Sequence, residues 1–144
     1  MSSAEPSNLT LLGNSQSGVP DAPSREILET FANHNAKRPF WIKLDCLEFS
    51  SLCPVTGQPD YAKIRIEYVP GKLCVETKSL KFYLAAYRSQ AGFNEEIINR
   101  IADDLIAVCQ PQKFTIEGAF GARGGIALTV EIQYPDEQLL EGGS

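Results

Sequence analysis

The sequence predicts an α+β domain of order ββααββ, a four-stranded antiparallel sheet with two helices on one face. The prediction rests on three observations. Alternating apolar–polar segments come first, segments of helical periodicity come next, and further alternating segments close the chain. Two helices cover only one face and leave the sheet edges open, so subunits are expected to associate edge to edge into a larger barrel.

Residues 1 to about 35 are rich in Ser, Asn, Gly and Pro and read as a flexible arm, with Ser24 to Phe31 adding a short helical turn. A single folded domain is expected over 36–135. Trp41 to Cys46 alternates like a half-buried strand. Ser50 to Asp60, punctuated by Pro54, Gly57 and Pro59, is a loop. Tyr61 to Tyr68 alternates almost without exception and forms the second strand. Pro70-Gly71 turns the chain into a short extended piece, Leu73 to Val75. Ser79 is placed to cap a helix from Leu80 to about Ser89. A second helix runs from about Glu95 to Val108 and gathers Ile97, Ile98, Ile101, Leu105 and Val108 on one face. Glu95 and Glu96 at its start suit the helix dipole. Phe114 to Phe120 and Ile126 to Ile132 are strands joined across Gly121 to Gly125. The acidic tail, 136–144, is expected to fray.

Composition narrows the function. Of the 144 residues 43% are hydrophobic and 22% charged, enough for one packed, soluble domain. No apolar run approaches the roughly 18 residues of a membrane span, and the start of the chain lacks a basic, apolar leader. A cytoplasmic protein with no membrane partner is expected. A net charge of −5 disfavours direct nucleic-acid binding, which draws on cations neutralising phosphates. It leaves room for a local basic pocket. Cys46, Cys53, Cys74 and Cys109 form no CxxC pair, and the lone His34 completes no usual zinc set, so no metal is expected. In a reducing compartment the thiols stay free.

Four short stretches carry possible chemistry, and each has a plainer reading. Cys53 sits in a proline-bounded loop with Asp60, which suits a thiolate nucleophile and its proton partner. From spacing alone, a structural loop cysteine beside a solvated Asp is commoner. Lys78 and Lys81 lie at a helix start, a ready anion site or simply solvated lysines. In Gly92 to Glu96, a carboxylate can accept two N–H donors from a guanine-like edge, or serve only the helix dipole. Arg123, in Ala122-Arg-Gly-Gly125, either reaches a phosphate or decorates a hairpin turn.

Taken together, Ser51-Leu-Cys-Pro-Val-Thr-Gly-Gln-Pro-Asp60 and Glu76-Thr-Lys-Ser-Leu-Lys-Phe-Tyr83 resemble the unimodular 7-cyano-7-deazaguanine reductases of the tunnelling-fold superfamily. The resemblance covers Leu11 to Asn14 and residues 38 to 133. It implies NADPH-dependent reduction of the nitrile of 7-cyano-7-deazaguanine to an aminomethyl group, in the biosynthesis of the queuosine tRNA modification. It further implies that Cys53 forms a covalent thioimide and Asp60 acts as general acid. Val75, Glu76 and Thr77 contact the deazaguanine, and Glu95 anchors its ring. Lys78, Ser79 and Lys81 belong to the signature linked to NADPH, and Arg123 lies in a segment similar to the family's Pro-Arg-Gly-Gly. The family also implies a homo-oligomer, a decamer of two facing pentamers. Three positions depart from its pattern. Asn94 stands where His is usual, keeping a substrate contact without acid–base capacity. Thr77 replaces Ser, and Ala122 replaces Pro.

Three other activities compete. A related amidinotransferase of the archaeosine type adds ammonia to the same nitrile without NADPH. A GTP-cyclohydrolase-like enzyme needs zinc ligands and histidines that His34 alone does not supply. A noncatalytic deazapurine-binding protein binds the nitrile without a thioimide.

Overall fold

The computed structural model describes residues 18–136. A 3-10 turn, Arg25–Ile27, leads into β1 (Thr30–Ala32), β2 (Ile42–Leu52), β3 (Pro59–Val69) and β4 (Leu73–Val75). Helix α1 (Thr77–Ala85) passes into a second 3-10 turn, Ala86–Ser89, and is followed by α2 (Asn94–Cys109), β5 (Lys113–Arg123) and β6 (Ile126–Tyr134). The main sheet has the order β2-β3-β5-β6 with every pair antiparallel, so β2 and β6 are its edges. This is the α+β arrangement expected from the sequence.

Alternation along the strands builds the core. Ala62, Ile64, Ile66 and Tyr68 of β3 are buried, while Tyr61, Lys63 and Arg65 between them are exposed. Phe114, Ile116 and Phe120 of β5 continue the buried face, and Ile97, Ile98, Ile101 and Leu105 of α2 close over it. Gly118 lets α2 approach: a Cβ there would stand 2.5 Å from Ile98 Cδ1. No helix of the described residues is long and apolar enough to cross a membrane.

The structure moves several boundaries. The first strand continues past Cys46 to Leu52 because a bulge between Cys46 and Phe49 resets the register. Phe49 and Ser51 then resume the inward face, and the loop shrinks to residues 53–58. The first helix starts at Thr77 and its N-cap is Glu76, not Ser79. The Glu76 carboxylate accepts from the backbone N–H groups of Lys78 (2.8 Å) and Ser79 (2.7 Å), satisfying donors a shorter side chain further along would miss. The second helix gains Asn94 and Cys109 and ends on Gln110 in left-handed geometry, φ 47°.

The stretch from Ser24 to Ala32, grouped by its composition with the arm, lies against the domain. Ser24 caps the first 3-10 turn, Leu28 is buried, and β1 pairs antiparallel with β4. Arg25 Nε donates to Asp104 Oδ1 at 2.9 Å. Asp104 is buried and also accepts from Tyr83 Oη (2.5 Å), whose oxygen lies 2.8 Å from Tyr87 Oη. Burial, then the neighbouring Tyr87 and Asp104, push the Tyr83 hydroxyl far above its usual range. Leu11 to Asn14 and the tail beyond Asp136 lie outside the described residues.

Two other buried groups predict alkaline sensitivity. Burial raises the Tyr68 hydroxyl from 10.0 to about 12 and the Cys109 thiol from 9.0 to about 11. Both fold as neutral groups and ionise more readily when unfolded. Their stabilising contribution is complete below pH 9 and falls as pH rises through about 11 and 12. Urea titrations between pH 8 and 12 should show declining stability. Cys109→Ala should flatten the lower part of the decline; an unchanged slope would contradict the assignment.

Candidate active site

Cys53 is held where β2 gives way to the loop. Its N–H donates to Gln58 O (2.8 Å), and its own carbonyl accepts from Gly57 N–H (2.9 Å). Gly57 has φ 75°, a left-handed conformation that lets the loop close this tightly. The closure folds residues 54–56 back over the sulfur. The Thr56 hydroxyl and then the N–H groups of Thr56 and Val55 hold the thiol below its ordinary value. Slight burial and the negative charge of Asp60 push the other way. Thr56 Oγ1 also accepts from Gln58 N–H at 3.2 Å, which polarises the hydroxyl toward the sulfur. Thr56→Val should raise the thiol pKa and slow iodoacetamide alkylation at neutral pH several-fold. An unshifted alkylation–pH profile would remove Thr56 from this role.

Asp60 enters from β3. The register sets it opposite Ser51, one strand across, and both lie on the helix-covered face. Its side chain is 13% exposed, and Arg123 Nη2 approaches Oδ1 at 3.0 Å. The same guanidinium donates to Pro59 O and, at 3.1 Å, to Gln58 Oε1. Arg123, at the end of β5, therefore clasps the loop and the acid together. In this chain it is a partner of Asp60.

A third element closes the corner. Leu52 forms a parallel bridge with Ala91, donating to Gln90 O (2.9 Å) and accepting from Gly92 N–H (3.1 Å). This contact delivers the start of α2, and with it Asn94 and Glu95, to the Cys53 end of β2. Glu95 is exposed, and Phe93 beside it is 56% exposed despite its apolar ring. Asn94 Oδ1 and Ser51 Oγ are buried without hydrogen-bond partners among the described residues.

The remaining sequence-predicted residues form a separate group. Val75 is buried, and its N–H donates to Tyr68 Oη at 3.0 Å. The Glu76 carboxylate is spent on the helix cap. The Ser79 side chain is buried and fully employed: its hydroxyl donates to Glu76 O (2.7 Å) and accepts from Glu29 N–H (3.0 Å). Lys78 is exposed, and Thr77 and Lys81 line a groove of about 540 Å³ between α1 and β2, with Leu44, Cys46, Leu47 and Leu80. Lys81 is the one cation among the residues that line it, and the carboxylates of Asp45 and Glu48 line it too. Within one chain this groove does not meet Cys53. Glu48, the last β2 residue that lines it, precedes Cys53 by about 16 Å of strand at about 3.3 Å per residue. Among the described residues no cluster of His, Cys, Asp and Glu is placed to hold a metal.

Sequence reasoning passed over Ser51 and Thr56. Ser51 is two residues before Cys53 on the strand face it shares with Asp60, a signal available only once the strand is extended to Leu52. Thr56 precedes the glycine that closes the loop, and a hydroxyl at that place is a usual local hydrogen-bonder.

The model of the family described as QueF-like protein matches residues 59–139. An NADPH-dependent 7-cyano-7-deazaguanine reductase of Magnetococcus marinus is 48% identical over 119 residues, covering 83% of this chain and 93% of that one. A reductase of the same name from Nitrosococcus oceani is 49% identical over 116 residues, 81% of this chain and 89% of its own. One from Streptococcus thermophilus is 45% identical over 130 residues, 90% and 80%. Among solved structures, the archaeosine synthase QueF-Like in the apo form superposes with a TM-score of 0.62 over 67% of this chain and 94% of that chain. At 19% identity that likeness concerns the fold alone.

Proposed function

This chain belongs to the QueF-like protein family, and from that premise we propose that it reduces the nitrile of 7-cyano-7-deazaguanine to the aminomethyl group with NADPH, a step toward the queuosine modification of tRNA. The observation that carries the chemistry is a thiol held below its ordinary value by Thr56 and loop N–H groups, with Asp60 close enough for its charge to be felt.

Cys53 attacks the nitrile carbon as a thiolate while Asp60 supplies the proton to nitrogen, and the product is a thioimide. Full reduction takes two hydrides, which NADPH supplies when bound. Expulsion of the Cys53 thiolate after the first reduction leaves an imine that water would hydrolyse, so the chain must keep the corner dry. Glu95, at the α2 start, anchors the deazaguanine through its N–H donors, and Asn94 adds a neutral contact. Lys78, Lys81 and, once it leaves Asp60, Arg123 are the cations suited to NADPH phosphates. Val75, Glu76 and Thr77 approach the ring from the other group of residues.

The groove that Thr77 and Lys81 line does not include Cys53 or Asp60, and among the described residues β2 and β6 have no further strand of the sheet beside them. This supports a homo-oligomer in which the Val75–Lys81 segment of one copy completes the Cys53 corner of another, with the decamer the expected state. Free thiols and a nicotinamide reductant suit the reducing cytoplasm.

The deciding experiment adds the nitrile to protein and NADPH and follows nicotinamide absorbance. Loss of two NADPH per aminomethyl product is expected. Ammonia uptake with no loss of NADPH would replace this reading by the amidinotransferase, and binding without any adduct would leave only a deazapurine-binding protein.

A further inference from the structure

Resting on that reading of function, we propose that Ser51 is the positioning residue of the general acid: its hydroxyl donates to one carboxyl oxygen of Asp60 and leaves the other, protonated, facing the nitrile nitrogen. Ser51 is fully buried, 0% exposed, yet its hydroxyl has no hydrogen-bond partner among the described residues. A hydroxyl taken out of water without a hydrogen bond is a cost, and a hydrophobic strand end gains nothing from it. Ser51 and Asp60 are directly opposed in the β2–β3 register, with side chains on one face. Such pairs hold their Cβ atoms about 5 Å apart, so rotation of either side chain brings the hydroxyl to the carboxyl group.

The need for such a donor follows from what holds Asp60 now. Arg123 takes Oδ1 from a long side chain that is 45% exposed, at 3.0 Å. An acid that must deliver a proton has to turn away from that cation. It then loses its only charged fixture among the described residues, at the step where geometry matters most. Ser51 is short, buried and fixed in a strand, so it supplies a second fixture without adding charge. The corner has a further group awaiting a partner: Asn94 Oδ1 is likewise buried and unpartnered. The Leu52–Gln90 and Leu52–Gly92 hydrogen bonds bring its helix start beside Ser51.

The test is Ser51→Ala, which removes one oxygen and adds nothing. Three quantities are measured: melting temperature, affinity for 7-cyano-7-deazaguanine in a Cys53→Ala background, and the single-turnover rate of covalent adduct formation by intact-protein mass in the Cys53 form. Melting should be unchanged or raised, since an unpartnered buried hydroxyl is lost. Affinity should be unchanged, and adduct formation should slow by about tenfold or more, the scale of a lost hydrogen bond to an ionisable group. An adduct rate equal to wild type, or a rate loss matched by losses of melting temperature and affinity, would overturn the assignment and leave the reading of function standing. Wild-type protein that forms no adduct at all would take down both.

Discussion

Cys53→Ala should bind the nitrile and leave it unreacted. Turnover should fall on the order of a thousandfold or more, as for other enzymes stripped of their nucleophile, with affinity for the nitrile retained. The assignment is exposed to a clear contrary result, because three other thiols are present. Cys46, Cys74 and Cys109 all have raised thiol pKa values, with burial the leading cause. Only the Cys53 thiol is lowered among the four. Intact-protein mass of the variant after incubation with nitrile should therefore show no added mass. A substrate-dependent adduct on Cys53→Ala would move the nucleophile elsewhere and end the proposed mechanism.

The second large effect concerns stability. Asp104→Ala removes the acceptor of the buried Tyr83 hydroxyl and the partner of Arg25, with Arg100 Nε also 4.0 Å from the carboxylate. The arginines are half exposed, so solvent screens their share and the Tyr83 bond dominates. The lost hydrogen bond, plus a buried hydroxyl left without its acceptor, should cost about 2–4 kcal/mol. Urea unfolding checks the magnitude. Limited proteolysis should find new cleavage around Arg25, since the segment loses its ion pair. A variant as stable as wild type would show that the hydroxyl pair satisfies itself.

Much of the architecture was legible because β3, β5 and α2 obey their periods with few exceptions. What was not legible involved exceptions to local rules. The bulge after Cys46 breaks alternation at Leu47 and Glu48, so a strand that continues looks like one that ends. Glu76 caps α1 through a side chain long enough to reach back, while Ser79, the usual capping type, lies inside the first turn and bonds Glu29. The attachment of the Ser24–Ala32 stretch depends on Asp104 and β4, distant partners that no local pattern reveals. At the site, Cys53 and Asp60 stood out through their shared loop. Ser51 and Thr56 are ordinary residues until register and loop closure give them neighbours.

Gln90 ties the N-terminal segment to β2. Its carbonyl holds Leu52, and its side-chain amide donates to Asp21 O at 3.3 Å. Nearby, Ser89 Oγ reaches the same carbonyl at 3.2 Å, Arg88 reaches Pro20 O at 3.1 Å, and Arg100 reaches Pro23 O at 2.8 Å. The segment from Pro20 to Pro23 thus works like a buckle, cinching the short span on which the Cys53 end of β2 rests. Clipping the chain ahead of Arg25 would spare Cys53 and Asp60 yet let that span drift, and the two would lose alignment before the domain lost its fold.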